Sequence, residues 1–296
     1  MPPTPRILST PGDNPRATVA IGFVTGMLSG LKARGVDAGP LLAEAGIAPD
    51  TAGDLKARVP LLSYAALYNG VVRELDDEGF GLFAGPLKTG MLEFLCRGLI
   101  GSRDLGEALA RAARFLALVL PDFRLTIAED DVSARLEIAE VGTPWPAVND
   151  PRRVFAFEWC LRLLHGLSCW LVGKSLALDS VRFPYARPPQ AADYPLIYTE
   201  NPGFGGAQLV ARLHKNLLAL PIRRDQESVA AFLEGGPGKI AMLYRRDHEI
   251  VRQIRGEANL ALERGEEALR HRVVIRALTP THALPRTCLI EQPSVA

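Results

Sequence analysis

The sequence predicts an α+β protein, with an N-terminal helical subdomain followed by a mixed α/β subdomain built on a small, largely antiparallel sheet. Three observations carry this. Apolar residues recur at helical spacing in a series of segments between Thr18 and Leu120, separated by turns and a glycine-rich loop. Strict alternation replaces that spacing at Phe123, Leu125 and Ile127, and again at Val132, Ala134, Leu136 and Ile138. A long helical pattern then returns from Arg152 to about Leu171, ahead of several short strand-like runs. At 296 residues and 48% hydrophobic content, the chain is long enough for one large domain or two ordinary ones, each with a core of its own.

Taken in order, Met1 to about Arg16 has three early prolines and no apolar run of signal-peptide type, so residues 1–17 are expected to form a loose tail. The first helix spans Thr18 to Arg34 through Val19, Phe23, Val24, Met27, Leu28 and Leu31, with Gly35 as its cap. Asp37 precedes a short helix around Leu41, Leu42 and Ala45, which Gly46 closes. Pro49 and Asp50 start a brief turn, and Pro60 opens a longer helix over Leu61 to Leu75. The stretch from Gly30 to Gly70 thus links three helical patterns with no catalytic chemistry between them. Phe80 to Gly90 reads as a glycine-rich loop with a short helical piece, followed by a helix from Met91 to Ile100. The next helix begins at Ser102, where Asp104 and Glu107 suit the positive end of the dipole, and it ends at Pro121.

Glu129, Asp130 and Asp131 supply the turn of an antiparallel hairpin between the two alternating runs. After the long helix, strands are expected at Ser180 to Pro184, Leu196 to Tyr198 and Gln208 to Leu213, with a turn near Leu217, Leu218 and Pro221 and a helix from Gln226. Lys239 to Arg276 carries nine Lys or Arg against six Asp or Glu, a net +3 over a helical, charged stretch. The last segment, from Thr281, has no usable periodicity and is expected to be disordered.

Composition excludes several classes. A formal charge of +1, from 34 basic against 33 acidic residues, leaves no global footprint for nucleic acid or an anionic membrane. The most membrane-like run, Phe155 to Gly173, is interrupted by Glu158, Arg162 and His165 and reads as a buried core helix. Cys96, Cys160, Cys169 and Cys288 show neither CxxC spacing nor a matching histidine pair, as expected of structural thiols in a reducing cytoplasm. His165, His214, His248, His271 and His282 form no HExxH or paired metal spacing. GxSxG, GxGxxG and the P-loop do not occur, and no cofactor or metal is implied. The opening helices imitate a helix-turn-helix, but Glu44 is the one charge on the second of them, which makes it a packing element.

Candidate ligand-binding residues fall in three places. Phe155, Trp159 and Arg162 share one helical face at i, i+4 and i+7, with His165 and Trp170 further along. The stripe reads either as core, with Arg162 snorkelling, or as the aromatic wall of a small-molecule pocket. Arg182 and Tyr185 lie on or just after the strand SVRFP. There, alternation places Val181 and Phe183 on one face and Arg182 on the other, toward solvent or a carboxylate ligand. Tyr64 and Tyr68, one helical turn apart, either pack on the next helix or close a pocket with their hydroxyls. Glu93 and Arg97 read as a surface pair. His165 and Cys169, one turn apart, are buried helix residues or, with Arg182, the parts of an unrecognised small-molecule enzyme.

The order GVDAGPLLAEAGI at 35–47, ARVPLLSYAALY at 57–68, FGLFAG at 80–85, SRDLGEALARAARFLALV at 102–119, SVRFPYARP at 180–188 and LLALPIRRD at 217–225 resembles the N-terminal half of AraC-type transcription regulators, in the arabinose-binding-domain-like branch. The resemblance runs from about residue 20 to about residue 255. It implies a ligand-sensing and dimerisation domain over residues 18–255, an unknown small-molecule effector, a homodimer, and no enzymatic activity. In that family a segment similar to HEIVRQIR at 248–255 leads into two helix-turn-helix units. Here 41 residues follow Arg255, and they do not supply helix, glycine turn and recognition helix. Residues 256–296 are therefore expected to be an atypical tail, left by a frameshift, an early stop or a naturally short protein. DNA would then be reached only through a missing C-terminal domain or a full-length partner. A purely structural pairing module is the reading that would hold if no cavity existed.

Overall fold

The computed structural model describes residues 17–142 and 145–242, all of which fall in one unit spanning Met1–Arg246. The expectations for the first sixteen residues, for Cys288, for the charged stretch beyond Met242 and for the tail 256–296 lie outside the described residues.

The architecture is α+β. Its first element corrects the sequence reading, because Thr18–Ala20 is a strand, β1, and helix α1 spans Ile21–Ala33. β1 pairs antiparallel with β2, Arg58–Pro60, in the register Thr18 to Pro60 and Val19 to Val59. Backbone bonds from Leu61 N–H to the Ala17 carbonyl (2.9 Å) and from Ile21 N–H to the Ala57 carbonyl (3.0 Å) flank the pair. Extended backbone wins here because a partner about forty residues away satisfies it, which no local spacing reports. α2, Gly39–Glu44, buries Leu41 and Leu42, as expected of a packing element. α3 spans Leu61–Leu75, α4 Met91–Leu99 and α5 Leu105–Val119.

Asp104 caps α5, its Oδ1 accepting from Glu107 N–H at 2.8 Å, while Glu107 reaches back to Arg103 N–H at 2.9 Å. Asp104→Ala removes the cap and is expected to cost about 1 kcal/mol, seen as a lower urea midpoint with an unchanged slope. The exposed pair Glu93–Arg97 forms at 2.7 Å.

The hairpin reads as expected, with β3 at Phe123–Glu129 and β4 at Ser133–Glu140. α6, Pro151–Val172, follows it, and β5 is confined to Ser180–Arg182. Leu196 to Tyr198, expected as a strand, instead belongs to the short helix α7, Tyr194–Ile197, with Tyr198 as its cap. Pro195 near the helix start and the Tyr198 N–H bond to the Tyr194 carbonyl (2.8 Å) close a single turn that three residues of alternation could not reveal. β6 is Pro202–Gly203, β7 Leu209–His214, and α8 Gln226–Leu233. The sheet runs β3-β4-β7-β5-β6, antiparallel except for the last pair.

α6 is the axis of the fold, buried at every position from Arg153 to Val172. Near its start, Arg153 meets Glu140 and donates to the Pro184 carbonyl at 2.8 Å. Gly26 lets α1 approach α6, since a Cβ there would come within 2.9 Å of Phe155 Cβ. Gly238 does the same at the other end, where a Cβ would lie 2.4 Å from the Ala65 carbonyl oxygen of α3. That contact seats the 3-10 turn Pro237–Met242, the last described element. Cys96, Cys160 and Cys169 are buried thiols. Among the described residues no helix is long and apolar enough to cross a membrane.

Candidate functional site

One face of α6 carries Phe155, Glu158, Trp159 and Arg162 at i, i+3, i+4 and i+7, and all four line a cavity of about 40 Å³. Tyr64 and Tyr68 of α3 face them. β1 and α1 contribute Val19 and Phe23, α7 and its cap contribute Ile197 and Tyr198, and the turn Pro237–Met242 closes the space with Ile240 and Ala241. The walls are mostly apolar and aromatic, with the two ionisable acid–base side chains Glu158 and Arg162 on α6 and tyrosine hydroxyls from α3 and the end of α7, a make-up typical of small-molecule sites.

Hydrogen bonds hold these side chains in place. Trp159 Nε1 donates to the Tyr68 hydroxyl at 2.9 Å, and Phe80 stands edge-on to Tyr68 with ring centroids 4.5 Å apart. The Tyr198 hydroxyl donates to the Glu158 backbone carbonyl at 3.0 Å. Burial, with smaller effects from Tyr68 and Glu158, holds the Tyr64 hydroxyl protonated well above the usual phenol range.

Glu158 is the least expected member. Its Oε1 accepts from the Tyr194 hydroxyl at 2.6 Å and from Gln190 Nε2 at 2.9 Å. Its Oε2 has no hydrogen-bond partner among the described residues, although the side chain is only 1% exposed. Burial pushes the carboxyl up to about 8, against the two hydrogen bonds that favour the charged form, so it is largely protonated at neutral pH. Arg162, one turn further on, is 7% exposed and donates to the Ala241 carbonyl at 3.5 Å, a long and therefore weak bond.

Of the residues singled out in the sequence, Tyr64, Tyr68, Trp159 and Arg162 converge on this cavity. Tyr185 is fully buried beside it, its hydroxyl 3.0 Å from that of Tyr194 and so one hydrogen bond removed from Glu158. His165 lines a separate space of about 20 Å³ against Leu161, Leu176 and Leu213. Its Nε2 lies 2.8 Å from the Leu176 carbonyl, and burial holds the imidazole down to about 4, so it is neutral and donates there. Cys169 Sγ sits 3.6 Å from the same nitrogen. Arg182 is exposed on β5. His165, Cys169 and Arg182 thus do not meet in an open cleft, and the enzyme reading built on them loses its geometric basis. No group of three or more His, Cys, Asp or Glu among the described residues is placed to hold a metal ion.

Sequence reasoning missed Glu158, Tyr198, Phe23 and the closing residues Ile240 and Ala241. Glu158 did leave a signal, a carboxylate at i+3 on the very stripe that pointed to Trp159 and Arg162. A carboxylate inside an apolar helix is costly and asks for a partner.

The family model for the N-terminal arabinose-binding domain of AraC transcription regulators matches residues 35–222. The chain belongs to this family. The matched part is an effector-binding regulatory domain, and it contains both tyrosines of α3 and the whole polar face of α6. Val19 and Phe23 on one side, and Ile240 and Ala241 on the other, complete the cavity from outside the match. No curated protein matches the chain. Among solved structures, the transcriptional regulator CdpR from Pseudomonas aeruginosa is similar at 14% identity and a TM-score of 0.38, over 87% of this chain and 70% of that one.

Proposed function

We propose that the cavity between α3 and α6 is the effector site of this AraC-type sensor domain, and that an effector acts by moving the turn Pro237–Met242. The observation that carries this reading is the convergence of Tyr64, Tyr68, Glu158, Trp159 and Arg162 on one aromatic-walled space within the matched region, where the buried Oε2 of Glu158 has no hydrogen-bond partner among the described residues. A polar atom left unsatisfied in the core costs stability unless it has a use.

The space itself supports the second half. About 40 Å³ holds roughly three waters at 10–15 Å³ each, so any larger effector must displace a wall. The walls on α6 and α3 are packed helices. The turn is held by Asn69, which donates to the Gly235 carbonyl (3.1 Å) and accepts from Gly238 N–H (2.7 Å), and by the long bond from Arg162 to Ala241. A ligand that engages Arg162 competes with that last bond, shifting the population toward a displaced turn. The turn leads directly into the residues beyond 242, so its position is the natural output of the site. In this reading the domain is a non-enzymatic, cytoplasmic sensor spanning 18–255 that pairs with a second copy. DNA is contacted by other parts of the regulator or its partner.

Thermal-shift screening of the purified chain against a small-metabolite panel tests the site. A true effector at a hundredfold excess over its Kd adds about 2.7 kcal/mol, a rise of roughly 5–10 °C for a unit of this size. Arg162→Gln and the cavity-filling Ala241→Leu are expected to abolish that rise while leaving the unliganded protein folded. An undiminished shift in both variants places the effector elsewhere.

A further inference from the structure

We infer that the effector is an uncharged, largely apolar molecule bearing one hydrogen-bond-accepting carbonyl oxygen, as in a ketone, ester, lactone or amide, and that this oxygen accepts from the Tyr64 hydroxyl. This rests on the cavity being the effector site.

Tyr64 is 7% exposed and lines the cavity. Its hydroxyl makes no hydrogen bond among the described residues and, unlike Glu158 Oε2, is not sealed off from a water-sized molecule. The groups that act on that hydroxyl electrostatically are Tyr68, Glu158 and Arg162, and it acts in turn on Tyr198. All four line the same space, so the hydroxyl points into the cavity rather than away from it. The other two phenols of the wall are committed, Tyr198 donating to the Glu158 backbone carbonyl and Tyr68 accepting from the Trp159 N–H. Tyr64 therefore presents the cavity with an open polar group, and burial keeps it a neutral O–H donor.

The surroundings narrow the ligand further. Among the described residues of the wall, no carboxylate is open to receive an ammonium, because Glu158 Oε2 is closed off and burial holds the carboxyl protonated to about pH 8. The same fact tells against an anion. Glu158 lies one helical turn from Arg162, yet desolvation there outweighs every influence that favours its carboxylate, and Arg162 is already engaged by Ala241 and by further interactions. A ligand carboxylate beside Glu158 would meet the same desolvation.

A polyol is unsuited as well, since Val19, Phe23, Phe155, Ile197 and Ile240 would strip water from several hydroxyls and return no hydrogen bond. A hydrocarbon or aromatic body with a single acceptor leaves no polar atom unpaired once its oxygen meets Tyr64. That body presses on Ile240 and Ala241, the wall formed by the turn Pro237–Met242, which ties ligand entry to the displaced turn.

The full chain is titrated calorimetrically at pH 7 with small aliphatic and aryl ketones, esters, lactones and amides, alongside the carboxylate, ammonium compound and hydrocarbon of each skeleton, and with L-arabinose. The expected result is a neutral carbonyl compound that binds at least about tenfold more tightly than its carboxylate and ammonium counterparts. In Tyr64→Phe its affinity falls roughly fivefold to tenfold, while that of the parent hydrocarbon is unchanged. The variant loses a hydroxyl that bonds to no described residue, so its thermal midpoint should match the parent's. With the carbonyl labelled, its infrared stretch lies at lower frequency in the wild-type complex than in the Tyr64→Phe complex, the mark of an O–H donor. Preference for a carboxylate, an ammonium compound or L-arabinose overturns the inference. So does failure of every neutral carbonyl compound to bind, or binding with equal affinity and the same stretch in Tyr64→Phe. A binder that is lost in Ala241→Leu but indifferent to Tyr64→Phe keeps the cavity as the effector site and overturns only the ligand class. A carbonyl compound that binds undiminished in both Ala241→Leu and Arg162→Gln overturns the site as well.

Discussion

Asp77→Ala is expected to lower the thermal midpoint by roughly 10 °C or more, the largest loss from any single truncation outside the apolar core. Asp77 lies just past the end of α3, 1% exposed, and its carboxylate accepts three buried backbone bonds. Gly79 and Leu87 N–H donate to Oδ1, both at 2.8 Å, and Gly81 N–H donates to Oδ2 at 2.9 Å. Arg34 adds a partly exposed ion pair at 3.2 Å. Alanine leaves three buried donors without an acceptor, each worth about 1–3 kcal/mol but not additive, for a total of roughly 3–5 kcal/mol. Arg34→Ala, by contrast, removes one half-exposed pair and should cost about 1 kcal/mol or less.

The consequence reaches the site. The loop that Asp77 gathers holds Phe80 in a left-handed conformation, φ 58°, with its ring fully buried edge-on to Tyr68 and 6.4 Å from that of Trp159. Untying the loop loosens the aromatic backing of the cavity. Faster amide exchange at Gly79, Gly81 and Leu87, together with weaker effector binding, is the expected pattern. An Asp77→Ala protein as stable as the parent would show that the loop is held by its apolar contacts alone.

This device was invisible in the sequence for a physical reason. The helices α3, α4, α5 and α6 and the hairpin were legible because each repeats one local rule, 3.6 or 2, over nine residues or more or over two facing runs. β1 and α7 are three and four residues long, shorter than the period needed to identify them, and their conformation is decided by distant partners. The same divide separates the site residues. Tyr64, Tyr68, Trp159 and Arg162 were legible because i, i+4 and i+7 spacing puts them on faces that helices must bury. Alternation also set Arg182 opposite Val181 and Phe183, and that face is exposed. What periodicity cannot supply is depth: it does not distinguish the cavity under Trp159 from the packed core around Tyr185. Nor does it say that the Glu158 carboxylate will be left with one oxygen unsatisfied.

Glu158 also makes the second large effect one of pH. Its carboxyl has a folded value of about 8 against 4.5 in an unfolded chain, so the native state binds the extra proton between those values. The corresponding stability is fully present below pH 4.5 and is lost as pH rises toward 8. His165 has the opposite sign, with a folded value of about 4 against 6.5. Its contribution is present above 6.5 and is lost as pH falls toward 4. Between about pH 4.5 and 6.5 the two oppose each other at up to about 1.4 kcal/mol per pH unit, leaving the wild-type profile nearly flat from this pair. Above 6.5 Glu158 acts alone and stability falls toward pH 8. Glu158→Gln removes one side of the balance. Its stability should rise with pH between 4 and 6.5 through His165, and relative to wild type it should gain on the order of 4 kcal/mol from pH 4.5 to pH 8, with no further gain above that. Glu78, raised in the same direction by burial, is present in both proteins and cancels in the difference. Urea unfolding of the two proteins across this range reads the difference directly. A constant offset between the two curves would mean that Glu158 ionises freely in the folded protein, and the energetic argument for its buried, protonated carboxyl would fail with it.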